Sequence, residues 1–213
     1  MKSPIKCYLF IYNLCMSIGW LYAAYQTATD IGSRGFFGTS GISSIRVMAA
    51  TPTISILQKI STLELIHSIL GYTKSSTFST FSQLFGRDML MFLIIVPFKR
   101  SDVYVTMVYV CWCIAENIRY PFYATSVGGF CPKFLQWLRY SQFIVFYPLG
   151  FVSEIGVIIA ATIKKKQNMF GIDIRWLIAS YLFIIYGYYG PQLYWYMFRQ
   201  RRKSLQIKNR KSA

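Results

Sequence analysis

Six apolar stretches, each close to the length a helix needs to cross a bilayer, follow one another along this chain with more polar breaks between them. They run at about Cys7 to Tyr25, Thr53 to Tyr72, Phe78 to Phe98, Val103 to Tyr123, Trp137 to Ile163 and Ile174 to Phe198. A helix of roughly 20 apolar residues crosses ~30 Å of hydrocarbon. In lipid the backbone must satisfy its own hydrogen bonds, which admits helices or closed barrels, and these runs are too long and continuous for barrel strands. The expected fold is an all-α integral membrane protein, a bundle of about six transmembrane helices. Residues 1–213 read as a single domain ending in a basic cytosolic tail at 199–213, with no fixed-period repeat and no linker.

Composition agrees. Hydrophobic residues make up 54% of the chain and charged residues 14%, whereas soluble domains carry about a quarter charged. The first stretch resembles a signal peptide, but it is long and lacks a clear small-residue cleavage site, so a retained span is expected. The second is the weakest, interrupted by Lys59, Glu64 and His67, and residues 30–50 read as a loop.

The net charge of +16 would point to nucleic acid in a soluble protein. Here the basic residues gather at segment ends, at Lys164 to Lys166 and Arg199 to Lys211, a distribution suited to anionic headgroups and topology signals. No aromatic-basic module of nucleic-acid recognition is visible. A cytosolic tail and six spans put the N-terminus on the same side; Lys164 to Lys166 then face the lumen against the usual bias, and five spans remain an alternative.

The five cysteines, Cys7, Cys15, Cys111, Cys113 and Cys131, are odd in number, lack a CxxC pair and lie mostly in apolar segments. With a single histidine, His67, neither a disulfide framework nor a metal site is expected.

Ionisable residues inside apolar segments are costly and mark either internal pairing or function. Glu64 with His67 and Glu116 with Arg119 are i,i+3 pairs on one helix face, read as internal ion pairs. Arg87 and Asp88 are adjacent and should find partners on other helices. Glu154 stands apart. No basic residue lies within one turn of it, which makes it a candidate proton carrier unless an arginine of another helix pairs with it. Tyr147 lies two helical turns before it, on the same face, with Cα atoms roughly 10 Å apart and the Glu154 side chain leaning toward the tyrosine. Pro148 removes a backbone hydrogen bond beside the tyrosine, and Gly150 leaves room between the two. The pattern fits a slot bordered by a phenol and a carboxyl, or ordinary packing.

Two motifs mislead. Cys113 to Arg119, "CIAENIR", has the Cys-x5-Arg spacing of tyrosine phosphatases but lacks glycines and sits in an apolar helix. Gly35 to Gly41, "GFFGTSG", lacks the lysine and the strand–helix context of a phosphate loop.

Five blocks carry a resemblance: "YNLCMSIGW" (Tyr12 to Trp20), "LELIHSILG" (Leu63 to Gly71), "ENIRYPFYA" (Glu116 to Ala124), "WLRYSQFIVFYPLGFVSE" (Trp137 to Glu154) and "GPQLYWYM" (Gly190 to Met197). In this order they resemble the very-long-chain (3R)-3-hydroxyacyl-CoA dehydratases, also called protein tyrosine phosphatase-like proteins. The resemblance implies a six-span protein of the endoplasmic reticulum with both termini cytosolic. It also implies a lyase at the third step of fatty-acid elongation, removing water to give a trans-2-enoyl-CoA, with no cofactor. The family's catalytic tyrosine and glutamate fall on Tyr147 and Glu154. Arg139, Arg119, Arg87 and Gly150 are candidate substrate-binding or pocket-organising residues, structural pairing being the competing role for the arginines. Implied partners are the acyl-CoA substrate, the lipid bilayer and, within the elongation cycle, the condensing enzyme and two reductases. Near the C-terminus, Arg210 and Lys211 form an imperfect dilysine retrieval signal that a generic basic tail explains equally well. Two other functions fit the same features: a proton-coupled transporter relaying through Glu154 and Glu116, and an inactive scaffold of the elongation complex.

Overall fold

The computed structural model describes residues 4–35, 48–73, 76–97, 102–164, 168–169, 172–173, 187–188 and 190–209. The first span becomes α1, Pro4–Arg34. Its buried stripe is Leu9, Asn13, Met16, Trp20, Ala23, Thr27 and Asp30, stepping alternately by four and three residues. That period of 3.5 holds one face against a neighbouring helix over the whole length. The same stepping places Ile11, Leu14, Ile18, Leu21 and Tyr25 on the exposed side. Polar residues on the buried stripe close locally: Asn13 Nδ2 donates to the Leu9 carbonyl (2.6 Å) and Thr27 Oγ1 to that of Ala23 (2.8 Å). Asp30 accepts the Ala49 N–H at 2.6 Å, just ahead of the next helix. The expected loop at 30–50 is thus shorter at both ends, and residues 36–47 lie outside the described residues.

The second stretch is divided. It forms α2, Ala50–Ser61, and α3, Leu63–Ile69, separated at Thr62. Ser61 donates to the Gln58 carbonyl at 2.7 Å and Thr62 to that of Lys59, the local hydroxyl bonding that competes with helix continuation. Neither half alone reaches across ~30 Å. The third stretch forms α4, Thr77–Met89, prolonged by a π-helical segment, Leu90–Ile95. Next comes α5, Val103–Gly128, opened by Asp102 accepting the Val105 N–H (3.2 Å) and closed by Gly129 at φ +82°. The fifth stretch is also two helices, α6 (Lys133–Arg139) and α7 (Phe143–Lys164), with a turn over 140–142. A ladder of two residues per strand follows, β1 (Asn168–Met169) antiparallel to β2 (Ile172–Asp173). Finally α8, Gly190–Asn209, takes in the end of the sixth stretch and carries the helix into the basic residues from Arg199 onward. Residues 174–186 of that stretch lie outside the described residues.

The central helix is α5, packed against α1, α6 and α7. Trp20, Ile54, Met91, Tyr109 and Val157, from four helices and the π segment, meet in its core. Glycine permits two close approaches. A Cβ on Gly19 would come within 2.5 Å of Leu57, and one on Gly156 within 2.3 Å of the Tyr104 ring, so α1 meets α2 and α5 meets α7 at these points. Among the described residues two stretches, Pro4–Ser33 and Lys133–Ala160, are long and apolar enough to cross a membrane.

Candidate active site

Tyr147 lies in the first turns of α7, with Pro148 behind it. Its hydroxyl donates to the Gly190 carbonyl at 3.0 Å, and its ring stacks on Tyr194 with centroids 5.4 Å apart and planes 18° from parallel. The phenol is therefore held by the first turn of α8. Two turns further along α7, Glu154 accepts the indole N–H of Trp112 at 3.1 Å. Phe151, ring-to-ring with Tyr147 at 6.0 Å, lies between them on the same stripe. Gly150 is buried against α5, where a Cβ would touch that of Cys111 at 3.9 Å, an ordinary contact.

Arg87 and Arg119 belong to a different cluster. Glu116 of α5, 2% exposed, accepts Arg87 of α4 on one oxygen and Arg119 Nε on the other at 2.6 Å. Arg119 also forks onto Glu64 of α3, Nη1 at 2.6 Å and Nη2 at 2.9 Å, and Tyr120 donates to the same carboxylate. The expected Glu116–Arg119 pair is thus present, whereas Glu64 turns to Arg119 instead of His67. His67 instead bonds the Tyr8 hydroxyl at 2.9 Å and packs edge-on against Tyr12. Arg87 finds its partner on another helix as expected, whereas the buried Oδ1 of Asp88 has no hydrogen-bond partner among the described residues.

The two clusters meet at one side chain. The Arg87 guanidinium stacks on the Trp112 ring, 4.8 Å from its centroid, while the edge of that ring bonds Glu154. Arg139 sits apart, in the last turn of α6, donating to the Tyr123 hydroxyl at 3.3 Å; Arg119 lies over the same ring at 5.9 Å. Sequence reading missed Trp112 and Tyr194. The signal for Trp112 was present, since it precedes Glu116 and Arg119 at i−4 and i−7 on the stripe already singled out. For Tyr194 no local signal existed, because its role depends on how α8 docks. Among the described residues no group of three or more His, Cys, Asp or Glu could hold a metal.

The signature of the protein tyrosine phosphatase-like (PTPLA) family matches residues 58–207, which contain both clusters. The chain belongs to this family. It is 31% identical to the very-long-chain (3R)-3-hydroxyacyl-CoA dehydratase PASTICCINO 2A of Oryza sativa subsp. japonica, over 94% of this chain and 93% of that one. Identity to the very-long-chain (3R)-3-hydroxyacyl-CoA dehydratase 1 of Canis lupus familiaris is also 31%, over 93% of this chain and 82% of the relative. The human dehydratase 2 matches at 31%, over 93% and 80%. No solved structure matches the chain. Within this PTPLA member the Cys113–Arg119 spacing is no phosphatase loop: Cys113 is buried beside Thr27, and Arg119 is held by two carboxylates.

Proposed function

We propose that this PTPLA-family protein is a very-long-chain (3R)-3-hydroxyacyl-CoA dehydratase, a hydro-lyase of fatty-acid elongation, with Tyr147 and Glu154 as its acid–base pair. One observation carries the assignment of the pair. They share a face of α7 two helical turns apart, where the phenol donates to the Gly190 carbonyl and the carboxylate accepts the Trp112 indole N–H.

Dehydration removes a proton from C2 and gives one to the hydroxyl leaving C3. The phenol is a hydrogen-bond donor in its resting contact, and Glu154 is an acceptor. Glu154 therefore takes the C2 proton, the C2–H electron pair becomes the C2=C3 double bond, and the C3–O bond breaks as Tyr147 protonates the oxygen into water. Return of the proton from Glu154 to Tyr147 restores the enzyme. Each group contributes about 10²–10⁴-fold to such a step.

The protein spans the endoplasmic-reticulum membrane about six times, with both termini cytosolic and the acyl chain between spans. Supporting this, among the described residues, are two long apolar stretches and an exposed apolar flank on α1, where Ile18 and Leu21 are more than half exposed. The experiment is dehydration of a very-long-chain 3-hydroxyacyl-CoA by purified protein in detergent or nanodiscs, wild type beside Glu154→Gln and Tyr147→Phe. Enoyl-CoA from wild type alone supports the assignment. Binding without turnover by wild type would favour an inactive scaffold, and equal turnover by all three would remove the pair from the chemistry.

A further inference from the structure

The basic half of α8 does more than follow the last span. α8 runs antiparallel to α6 and the start of α7, and four contacts fix the register. Gly190 meets Tyr147, Phe198 meets Phe143 (5.0 Å between centroids), Arg201 Nε donates to Ser141 Oγ (3.2 Å), and Gln136 donates to Ser204 (3.3 Å). Tyr194, Phe198 and Arg201 are spaced i, i+4, i+7, so Arg201 stands on the stripe that stacks Tyr194 on Tyr147. From Gly190 to Arg201 the helix rises about 16 Å at ~1.5 Å per residue. Among the described residues only Nε of Arg201 is bonded, and the two terminal amino groups have no partner.

We propose that Arg201, seated on Ser141 at the corner of α6 and α8, anchors the phosphates of the substrate's CoA. This rests on the acyl-CoA reading above. An oriented guanidinium with its outer edge open is suited to bidentate phosphate. It lies on the far side of Tyr147 from Glu154, so one groove has phosphates at its basic end, the reacting carbons at the Tyr147–Glu154 pair and the acyl chain beyond. The distance to Tyr147 suits an extended phosphopantetheine arm. Lys133 and Arg139 on α6 and Arg202 and Lys203 on α8 add positive charge around the corner.

The test uses full-length protein in phosphatidylcholine nanodiscs and one 3-hydroxyacyl chain carried on either CoA or pantetheine, which lacks the adenosine phosphates. Arg201→Ala should raise KM for the CoA thioester about tenfold, the loss expected for one charge-assisted contact, with kcat little changed. KM for the pantetheine thioester should not move. Arg201→Lys should recover part of the loss, and Arg199→Ala, taking the same charge from the opposite face, should cost little. Binding of 3′-phosphoadenosine 5′-diphosphate is measured alongside. Wild type should bind it and Arg201→Ala should not, which reads the anchor even if dehydration itself fails. An equal KM rise for both thioesters, no binding of the nucleotide by wild type, or an Arg201 effect seen only when anionic lipid is added would overturn the proposal; the last would make Arg201 a headgroup site.

Discussion

Two regions of this protein place carboxylates inside apolar helices and surround them differently. Across α3, α4 and α5, Glu64 and Glu116 are bonded by Arg87, Arg119 and Tyr120. On α7, Glu154 receives an indole N–H, and the nearby phenol is tied to a backbone carbonyl. A carboxylate shared between two guanidiniums is fixed in its ionised form and geometry, because giving up either partner strands a charge in low dielectric. On α7 the carboxylate shares one helix face with a phenol two turns before it, the arrangement that the proposed acid–base pair needs. Residue type is similar; the arrangement of the neighbours separates a structural clamp from the proposed site.

The largest effect expected from breaking this contrast is on turnover. Glu154→Gln and Tyr147→Phe should each lower kcat by about 10²–10⁴-fold, with thermal unfolding close to wild type. The double variant should fall far short of the product of the two losses, as for groups acting in one step. Two small independent effects would show that the pair does not act together.

Arg119→Ala should do the reverse. It leaves Glu64 and Glu116 each short of a guanidinium, and removing one partner of a buried pair costs about 3–5 kcal/mol. A large drop in unfolding temperature is expected, with residual turnover per folded molecule. Intact stability with turnover lost would move Arg119 from the clamp into the chemistry.

Trp112 is where the two regions can be uncoupled. Trp112→Phe keeps a ring for Arg87 to cover and deletes the N–H that holds Glu154. As a positioning residue it should cost about tenfold in kcat, roughly 1.4 kcal/mol, with KM and stability little changed. A fall in stability without the kcat effect would mean that Trp112 serves the clamp alone.

How much of this was legible in the sequence differs between the regions for a physical reason. Hydrophobic runs located α1, α4, α5 and α7, since a buried face and a lipid face are both apolar and the run survives. They did not show the breaks at Thr62 and over 140–142, where local hydroxyl and turn bonds interrupt a helix without changing its hydropathy. Tyr147 and Glu154 were legible because two helical turns on one element fix a shared face. The clamp was half legible: Glu116 with Arg119 follows from i,i+3 spacing, but Arg119 with Glu64 joins residues 55 apart, which only packing decides. For the same reason Gly190 and Tyr194, beside Tyr147 in space and far along the chain, left no local trace.

The smallest effects distinguish two glycines of α7 that look alike in sequence. A methyl at Gly156 would lie 2.3 Å from the Tyr104 ring, so α5 and α7 must part or the ring must turn. Overpacking of this kind costs about 1–3 kcal/mol, and Gly156→Ala should lower the unfolding temperature. A methyl at Gly150 meets the Cys111 Cβ at 3.9 Å, with nothing to push aside. There, better helix propensity offsets any packing cost, and stability should stay within ~1 kcal/mol of wild type. Gly150 lies between Tyr147 and Glu154 along α7, but its Cβ direction leads to Cys111 of α5. Gly150→Ala should therefore leave unfolding, kcat and KM for the hydroxyacyl-CoA close to wild type. A raised KM in a stable variant would mean that the substrate chain passes between α5 and α7 at this point.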